Sequence, residues 1–261
     1  MLALLLSPVL ALAPGGESEN PTLPFLRLQE EAAEPASPWS GDVNFGFLLT
    51  EGNSETFTTN FNANAVREGE RDRWTLGLFA NYGEQTTNDV TTKNIADVGG
   101  SAKYDYKVNE KLYYYGNGYV KTDDIADLDI RYILGAGAGY TFRDSEELSW
   151  SGEAGLSYVA EEYDVDPPLD DSNETVAVRL ASTLGYKVSE TTRFDQNTEL
   201  FPSLEDSDDF YSRFDSRLTM SITDTWKGVL QYILEYDDMP APGAAKADHR
   251  LIFTLGWTFG K

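Results

Sequence analysis

The stretch RYILGAGAGYTF, Arg131–Phe142, decides the fold. Gly135, Gly137 and Gly139 fall at every second residue. A dinucleotide-binding loop needs Gly-x-Gly-x-x-Gly between a strand and a helix. Here the spacing is Gly-x-Gly-x-Gly, Tyr-Thr-Phe continues the extended pattern, and RDSEE turns into another alternating run. The period is two, the repeat of a β-strand. Ile130, Tyr132, Leu134, Ala136, Ala138, Tyr140 and Phe142 share one face and the glycines the other. A glycine stripe leaves room for Tyr113, Tyr115 and Tyr119 of the neighbouring strand and permits strong local coiling.

Outward from this stretch the same alternation runs from Trp39 to the end of the chain. It predicts strands at 39–50, 56–67, 73–84, 93–108, 111–122, 128–142, 148–160, 174–187, 192–202, 209–222, 225–237 and 248–259. Such strands exceed the five or six residues usual in globular proteins and suit a tilted membrane-spanning strand. Tight turns (GERD, NE, DSEE, SET, TD) follow the even-numbered strands. Longer segments such as EEYDVDPPLDDSNE and DMPAPGAAKA follow the odd-numbered ones, although EGNSE after the first is short. Short turns on one side and long loops on the other is the pattern of an outer-membrane barrel.

The two faces of these strands differ chemically. At 209–222, Phe210, Phe214, Leu218, Met220 and Ile222 oppose Tyr211, Arg213, Asp215, Arg217 and Thr219. A soluble barrel also has one apolar face, so the aromatics discriminate. Trp39, Trp74, Trp150 and Trp226 open odd-numbered strands and Trp257 closes the last, which puts all five at one rim on the apolar parity. Tyr82, Tyr158 and Tyr236 close odd-numbered strands at the opposite rim. Two aromatic belts flanking an aliphatic band mark the two interfaces of a bilayer. The expectation is an all-β, antiparallel up-and-down transmembrane β-barrel of about twelve strands. Short periplasmic turns and longer acidic extracellular loops complete it.

Composition agrees with that class and excludes others. The chain of 261 residues has no cysteine, which removes disulfides, zinc–thiolate sites and thiol nucleophiles. With 20 Lys+Arg against 44 Asp+Glu, the net charge of −24 repels nucleic acid and favours cations. At the N-terminus, residues 1–13 read as the hydrophobic region of a secretory signal, without its basic n-region. Residues 14–37 read as a flexible periplasmic linker and 38–261 as the barrel.

Three stretches carry a family likeness. WSGDVNFGFLLTEGNSETFTTNFNANAVRE, Trp39–Glu68, resembles an opening hairpin, and ILGAGAGYTFRDSEELSWSGEAGLSYV, Ile133–Val159, a central one. The chain from Glu199 to Phe259 resembles the family's C-terminal third. The family is the bacterial salt-induced outer-membrane proteins, a domain-of-unknown-function family of Gram-negative bacteria. The resemblance spans residues 39–259 and implies an outer-membrane β-barrel without supplying an activity, cofactor or catalytic residue.

Candidate functional residues follow from parity. Asp105, Lys121, Arg131, Glu153, Arg179, Glu199, Arg213, Asp215, Arg217 and Glu235 lie on the face predicted to line the lumen. They either border a narrow, cation-preferring pore or pair with one another and plug the barrel. Barrels of eight strands are filled and those of sixteen hold channels, so about twelve leaves both open, with the pore slightly favoured. The membrane girdle is Trp39, Trp74, Trp150, Trp226, Trp257, Tyr82, Tyr158 and Tyr236. The long loops carry Asp123, Asp124, Asp127, Asp129, Glu161, Glu162, Asp164, Glu205, Asp206, Asp208 and Asp209, among others, read as a solvated acidic rim. That rim meets lipopolysaccharide and small cations, without EF-hand spacing or another specific metal site.

The expected partners are outer-membrane lipids, lipopolysaccharide and the barrel-assembly machinery; no cofactor, nucleic acid or catalysis is expected. The remote enzymatic alternative is a lipid hydrolase built on His249, the single histidine.

Overall fold

The computed structural model describes residues 38–51, 54–164, 172–241 and 244–260. The predicted signal (1–13), the whole of the predicted linker (14–37) and Lys261 at the end of the predicted barrel lie outside them. The described chain forms twelve strands: β1 (Trp39–Thr50), β2 (Ser54–Glu68), β3 (Asp72–Thr87), β4 (Val90–Lys107), β5 (Leu112–Asp123) and β6 (Leu128–Asp144), then β7 (Leu148–Tyr163), β8 (Ser172–Lys187), β9 (Thr192–Pro202), β10 (Phe210–Ser221), β11 (Trp226–Asp237) and β12 (Ala247–Phe259). Each strand pairs antiparallel with its sequence neighbours, and β1 pairs with β12 from Gly41↔Phe259 to Phe45↔Leu255. The result is a closed, all-β barrel whose β1–β12 seam is short, five residue pairs against the twelve that join β1 to β2.

Exposure is inverted relative to a water-soluble protein. Phe47 and Leu251 are each 72% exposed, and Leu78, Leu134 and Phe253 are exposed with them. Inside, Asn44 is 0% exposed and Lys121 3%. A soluble fold buries its aliphatic side chains and leaves lysine in water. Here the outer wall is a predominantly apolar band, far beyond the scattered apolar residues of a soluble surface.

The sequence sets the turns at the tryptophan rim. Asn109 Oδ1 accepts the backbone N–H groups of Lys111 and Leu112, each at 2.9 Å, and Thr223 Oγ1 accepts that of Trp226 at 2.9 Å. These short side chains satisfy turn donors that no strand reaches.

One connection differs from expectation. The segment between the third and fourth strands is not a long loop. β3 and β4 extend toward each other and join through Asn88 and Asp89 alone, with φ of 53° and 63°. Two successive left-handed residues make the primed hairpin turn that matches strand twist, and Asn and Asp tolerate that region. Alternation in this stretch is weak because it is polar on both faces, Thr86, Thr87, Thr91 and Thr92.

Candidate functional site in the barrel interior

The inward face of each strand contributes one side chain in two, and the interior sorts into two charged tiers. The tier nearer the tryptophan rim is built on β4, β7, β8 and β9. Lys103 Nζ lies 2.5 Å from Asp105 and 2.6 Å from Glu153. Arg179 bridges Glu153 at 2.7 Å and Glu199 at 2.6 Å. Tyr113 donates to Glu153 at 2.8 Å, and the Arg179 guanidinium lies over the Tyr115 ring at 4.9 Å.

Glycines make this tier possible. A Cβ on Gly139 would lie 2.2 Å from the Tyr113 ring. One on Gly137 would lie 2.3 Å from the Ala154 carbonyl and 2.7 Å from the Tyr115 hydroxyl. Tyr113 and Tyr115 therefore occupy the space the glycine stripe leaves open. Tyr119 does not; it stacks on Phe79 at 6.4 Å and packs against a buried cluster of Ile133, Val159, Ala177, Phe201 and Tyr211.

The tier nearer the opposite rim centres on Glu235 of β11. Its carboxylate meets Lys121 at 2.8 Å, Arg213 at 2.7 Å and Arg250 at 3.3 Å, and accepts a hydrogen bond from Tyr211 at 3.2 Å. Arg250 also reaches Asp97 at 2.6 Å and Asp123 at 3.5 Å, while Lys121 reaches Asp123 at 3.1 Å. Arg131 pairs with both Glu161 and Asp237, its guanidinium over the Tyr211 ring at 4.3 Å. Around the ring of twelve strands, β5 and β11 are six apart in either direction. The Lys121–Glu235 bridge therefore spans the barrel. Arg213 of β10, bonded to the Tyr119 hydroxyl of β5 at 3.4 Å, makes a second crossing.

Free volume is distributed unevenly. Toward the tryptophan rim lie a cavity of about 500 Å³, bordered by Asp105, Glu153, Arg179, Arg213 and Arg217, and one of about 620 Å³, bordered by Arg71, Lys107 and Asp144. A cavity of about 230 Å³ borders Asp97, Arg213, Glu235 and Arg250, and beyond it one of about 40 Å³ borders Lys121, Arg131 and Asp237. There Ala241, after β11, packs on Leu128 and Tyr163. Beside it Lys246 holds the Asp238 carboxyl below its usual range at 2.6 Å.

The ten residues predicted to line the lumen are placed in or between these tiers, and nine are joined to an opposite charge; among the described residues Arg217 makes no direct ion pair and opposes Asp195 in the register. The acidic rim is corrected in part. Asp123, Glu161 and Asp209 are buried; Asp123 and Glu161 turn inward to pair with arginine or lysine rather than standing in solvent. Burial, with the Glu161 carboxylate nearby, raises the Asp209 pKa. Asp124, Asp127, Glu162 and Asp164 are exposed, and among the described residues no group of side chains has metal-binding geometry.

The aromatic residues gather at the two rims. Trp74 meets Tyr104 at 4.9 Å, Trp150 meets Phe142 at 4.5 Å, and Trp226 opposes Trp257 across β11 and β12. Phe57–Tyr82, Tyr132–Tyr158 and Phe210–Tyr236 pair at 6.4, 6.1 and 6.2 Å on the other side, and Trp39 begins β1. His249 lies on the outer wall, its Nδ1 2.8 Å from the Tyr232 hydroxyl. Neither a serine hydroxyl nor a carboxylate is bonded to it among the described residues, so the triad geometry is missing there.

Parity alone missed the inward amides. Asn44 donates to Asn62 at 2.7 Å, Asn60 to Asn81 at 2.9 Å, and Gln231 to Asp215 at 2.8 Å. The run Asn60-Phe61-Asn62-Ala63-Asn64 was the available signal, amides at period two beside an apolar face.

A family model described as "Protein of unknown function, DUF481" matches residues 43–259. The uncharacterised protein YdiY of Escherichia coli K12 is 21% identical over 233 residues, 88% of this chain and 87% of that one. Among solved structures, the NanC porin is 10% identical with a TM-score of 0.48, covering 85% of this chain and 98% of its own. An outer membrane channel from Pseudomonas putida F1 is 12% identical with a TM-score of 0.45, covering 85% and 95%.

Proposed function

The chain belongs to the DUF481 family, and from that premise we propose that it is a barrel of the bacterial outer membrane whose interior is closed at rest. The exposed aliphatic band supports a position in lipid, with the aromatic belts at its two interfaces. The tryptophan rim, with its short turns, faces the periplasm. The wide cavities then form a vestibule open to that side, and the upper charged tier separates it from the outside.

One observation carries the closed reading. Lys121 and Glu235 meet at 2.8 Å across the full barrel, with Arg213 and Arg250 on the same carboxylate. A cation-preferring pore needs unpaired carboxylates along a continuous path. Here the carboxylates of the upper tier are paired with bases, Glu235 and Asp237 with Lys121 and Arg131 of the facing wall. The remaining exposed carboxylates at the far rim are the groups that would meet lipopolysaccharide and its cations. No catalysis is assigned, His249 included. The likeness to salt-induced relatives adds a role in osmotic stress, tested by growth of a deletion strain across salt concentrations.

The deciding measurement is conductance in planar bilayers. The native chain is expected to be silent, and a Lys121→Ala/Arg213→Ala/Glu235→Ala variant to give discrete steps. Steady, cation-selective steps from the native chain would establish the narrow pore instead. Recovery of the chain in the aqueous fraction without detergent defeats both.

A further inference from the structure

The outer wall is not uniform. On β1–β7 the outward positions of the band are apolar apart from Thr59 and Thr122, as at Phe45, Leu78, Val98, Val120, Leu134 and Leu156. On β8–β12 six polar side chains interrupt the band: Ser182 (which accepts from Trp150 at 3.1 Å), Gln196, Thr198, Ser216 and Tyr232 on the tryptophan-rim side of the barrel's middle, and His249 two residues into β12, toward the opposite rim. They adjoin one another through the register. Ser182 opposes Thr198, Gln196 opposes Ser216, Ser216 opposes Tyr232, and His249 opposes Leu234 beside it. Ser216 donates to Gln196 Oε1, Gln196 Nε2 donates to Thr198 at 3.4 Å, and Tyr232 bonds His249 Nδ1.

Hydrocarbon offers no partner to an amide, a hydroxyl or an imidazole, so polar groups facing lipid are disfavoured and gather where protein meets protein. None of the six is an acid or a base of fixed charge. Amides and hydroxyls each donate and accept, so each can pair with its own kind. Two copies inserted in the same direction are related by a two-fold axis parallel to the barrel axis. Groups at one depth then meet the same groups at the same depth, an isologous contact. A strip of self-complementary groups fits that arrangement, whereas a partner of opposite charge would find nothing to neutralise.

We propose that the outer face of β8–β12 is the interface at which a second copy of this chain docks within the membrane. The inference rests on the membrane position proposed above, and the two fail separately. The chain has no cysteine, so single-cysteine variants report one contact each. Ser216→Cys on β10 and Ala136→Cys on β6, four strands away and outside the strip, are reconstituted into phosphatidylethanolamine–phosphatidylcholine liposomes. Flotation comes first, and a chain that does not float with lipid refutes the membrane position itself.

With flotation secured, a membrane-permeant bismaleimide is expected to link Ser216→Cys into dimers and leave Ala136→Cys monomeric. Equal linking at both sites, or none at Ser216→Cys, overturns the interface, as does a monomer with lipid or another protein held on the strip. A Gln196→Leu/Ser216→Ala chain that keeps heat-modifiable migration provides the second test. Its monomer–dimer Kd in detergent is expected to rise roughly tenfold, equivalent to about 1.4 kcal/mol. An unchanged Kd counts against the proposal.

Discussion

Replacing Glu235 by Gln keeps the shape of the side chain and removes one charge from the centre of the upper tier. Three cations lose their shared counter-charge, but they do not lose equally. Lys121 retains Asp123 at 3.1 Å and Arg250 retains Asp97 at 2.6 Å, whereas Arg213 keeps only Asp215 at 3.6 Å. Removing one member of a buried pair costs about 3–5 kcal/mol, because the other charge stays buried. A single pair at 4 Å and an effective dielectric of 20 gives about 4 kcal/mol, the same order. With two of three cations still partnered, the expected loss is near the lower end, about 3 kcal/mol.

Urea unfolding from liposomes, followed by tryptophan fluorescence, measures this loss. The five tryptophans stand at the far end of the barrel from Glu235, so their signal follows global unfolding rather than the local change. A loss below about 1 kcal/mol, the range of an exposed ion pair, would refute the buried network. In Lys121→Met/Glu235→Gln the excess cation is gone, and more than about 1 kcal/mol should return. Strict additivity within about 0.5 kcal/mol would show that the two side chains do not meet.

Other perturbations probe the remaining features. Gly137→Leu places a Cβ 2.3 Å from the Ala154 carbonyl, a backbone atom that cannot yield without breaking the β6–β7 ladder; heat-modifiable migration should be lost, and its retention would count against the packed stripe. Leu78→Arg, midway along β3 between Trp74 and Tyr82 on the outer wall, should destabilise the liposome-inserted barrel by about 2–4 kcal/mol, and a change near zero would place that wall in water. Asp209 tests pH dependence outside the strands: its raised pKa favours the fold below the carboxyl's unfolded value, and that contribution is lost as pH rises through the folded value. Asp209→Asn should therefore match the native melting midpoint in acid and exceed it at neutral pH; an equal offset at both would remove the titration as its cause.

Period-two alternation located all twelve strands, because each strand must alternate between lipid-like and polar surroundings, and that demand is written residue by residue. Bounds failed where both faces are polar, as around Asn88 and Asp89. Tryptophan positions were legible for the same reason: depth along a strand is a matter of counting. The inward placement of Arg131 and Glu235 was legible too, as parity.

What the sequence by itself determined was therefore which way each side chain points and how deep it sits. Only the closed barrel decided who meets whom. Lys121 and Glu235 are 114 residues apart and on strands six apart, and no spacing in the chain encodes their approach. Their contact depends on barrel diameter, strand stagger and the reach of two long side chains, quantities that exist only once β1 has paired with β12. The same closure turned Asp123 and Glu161 from an acidic rim into partners of Arg250 and Arg131, because burying those bases required carboxylates within reach.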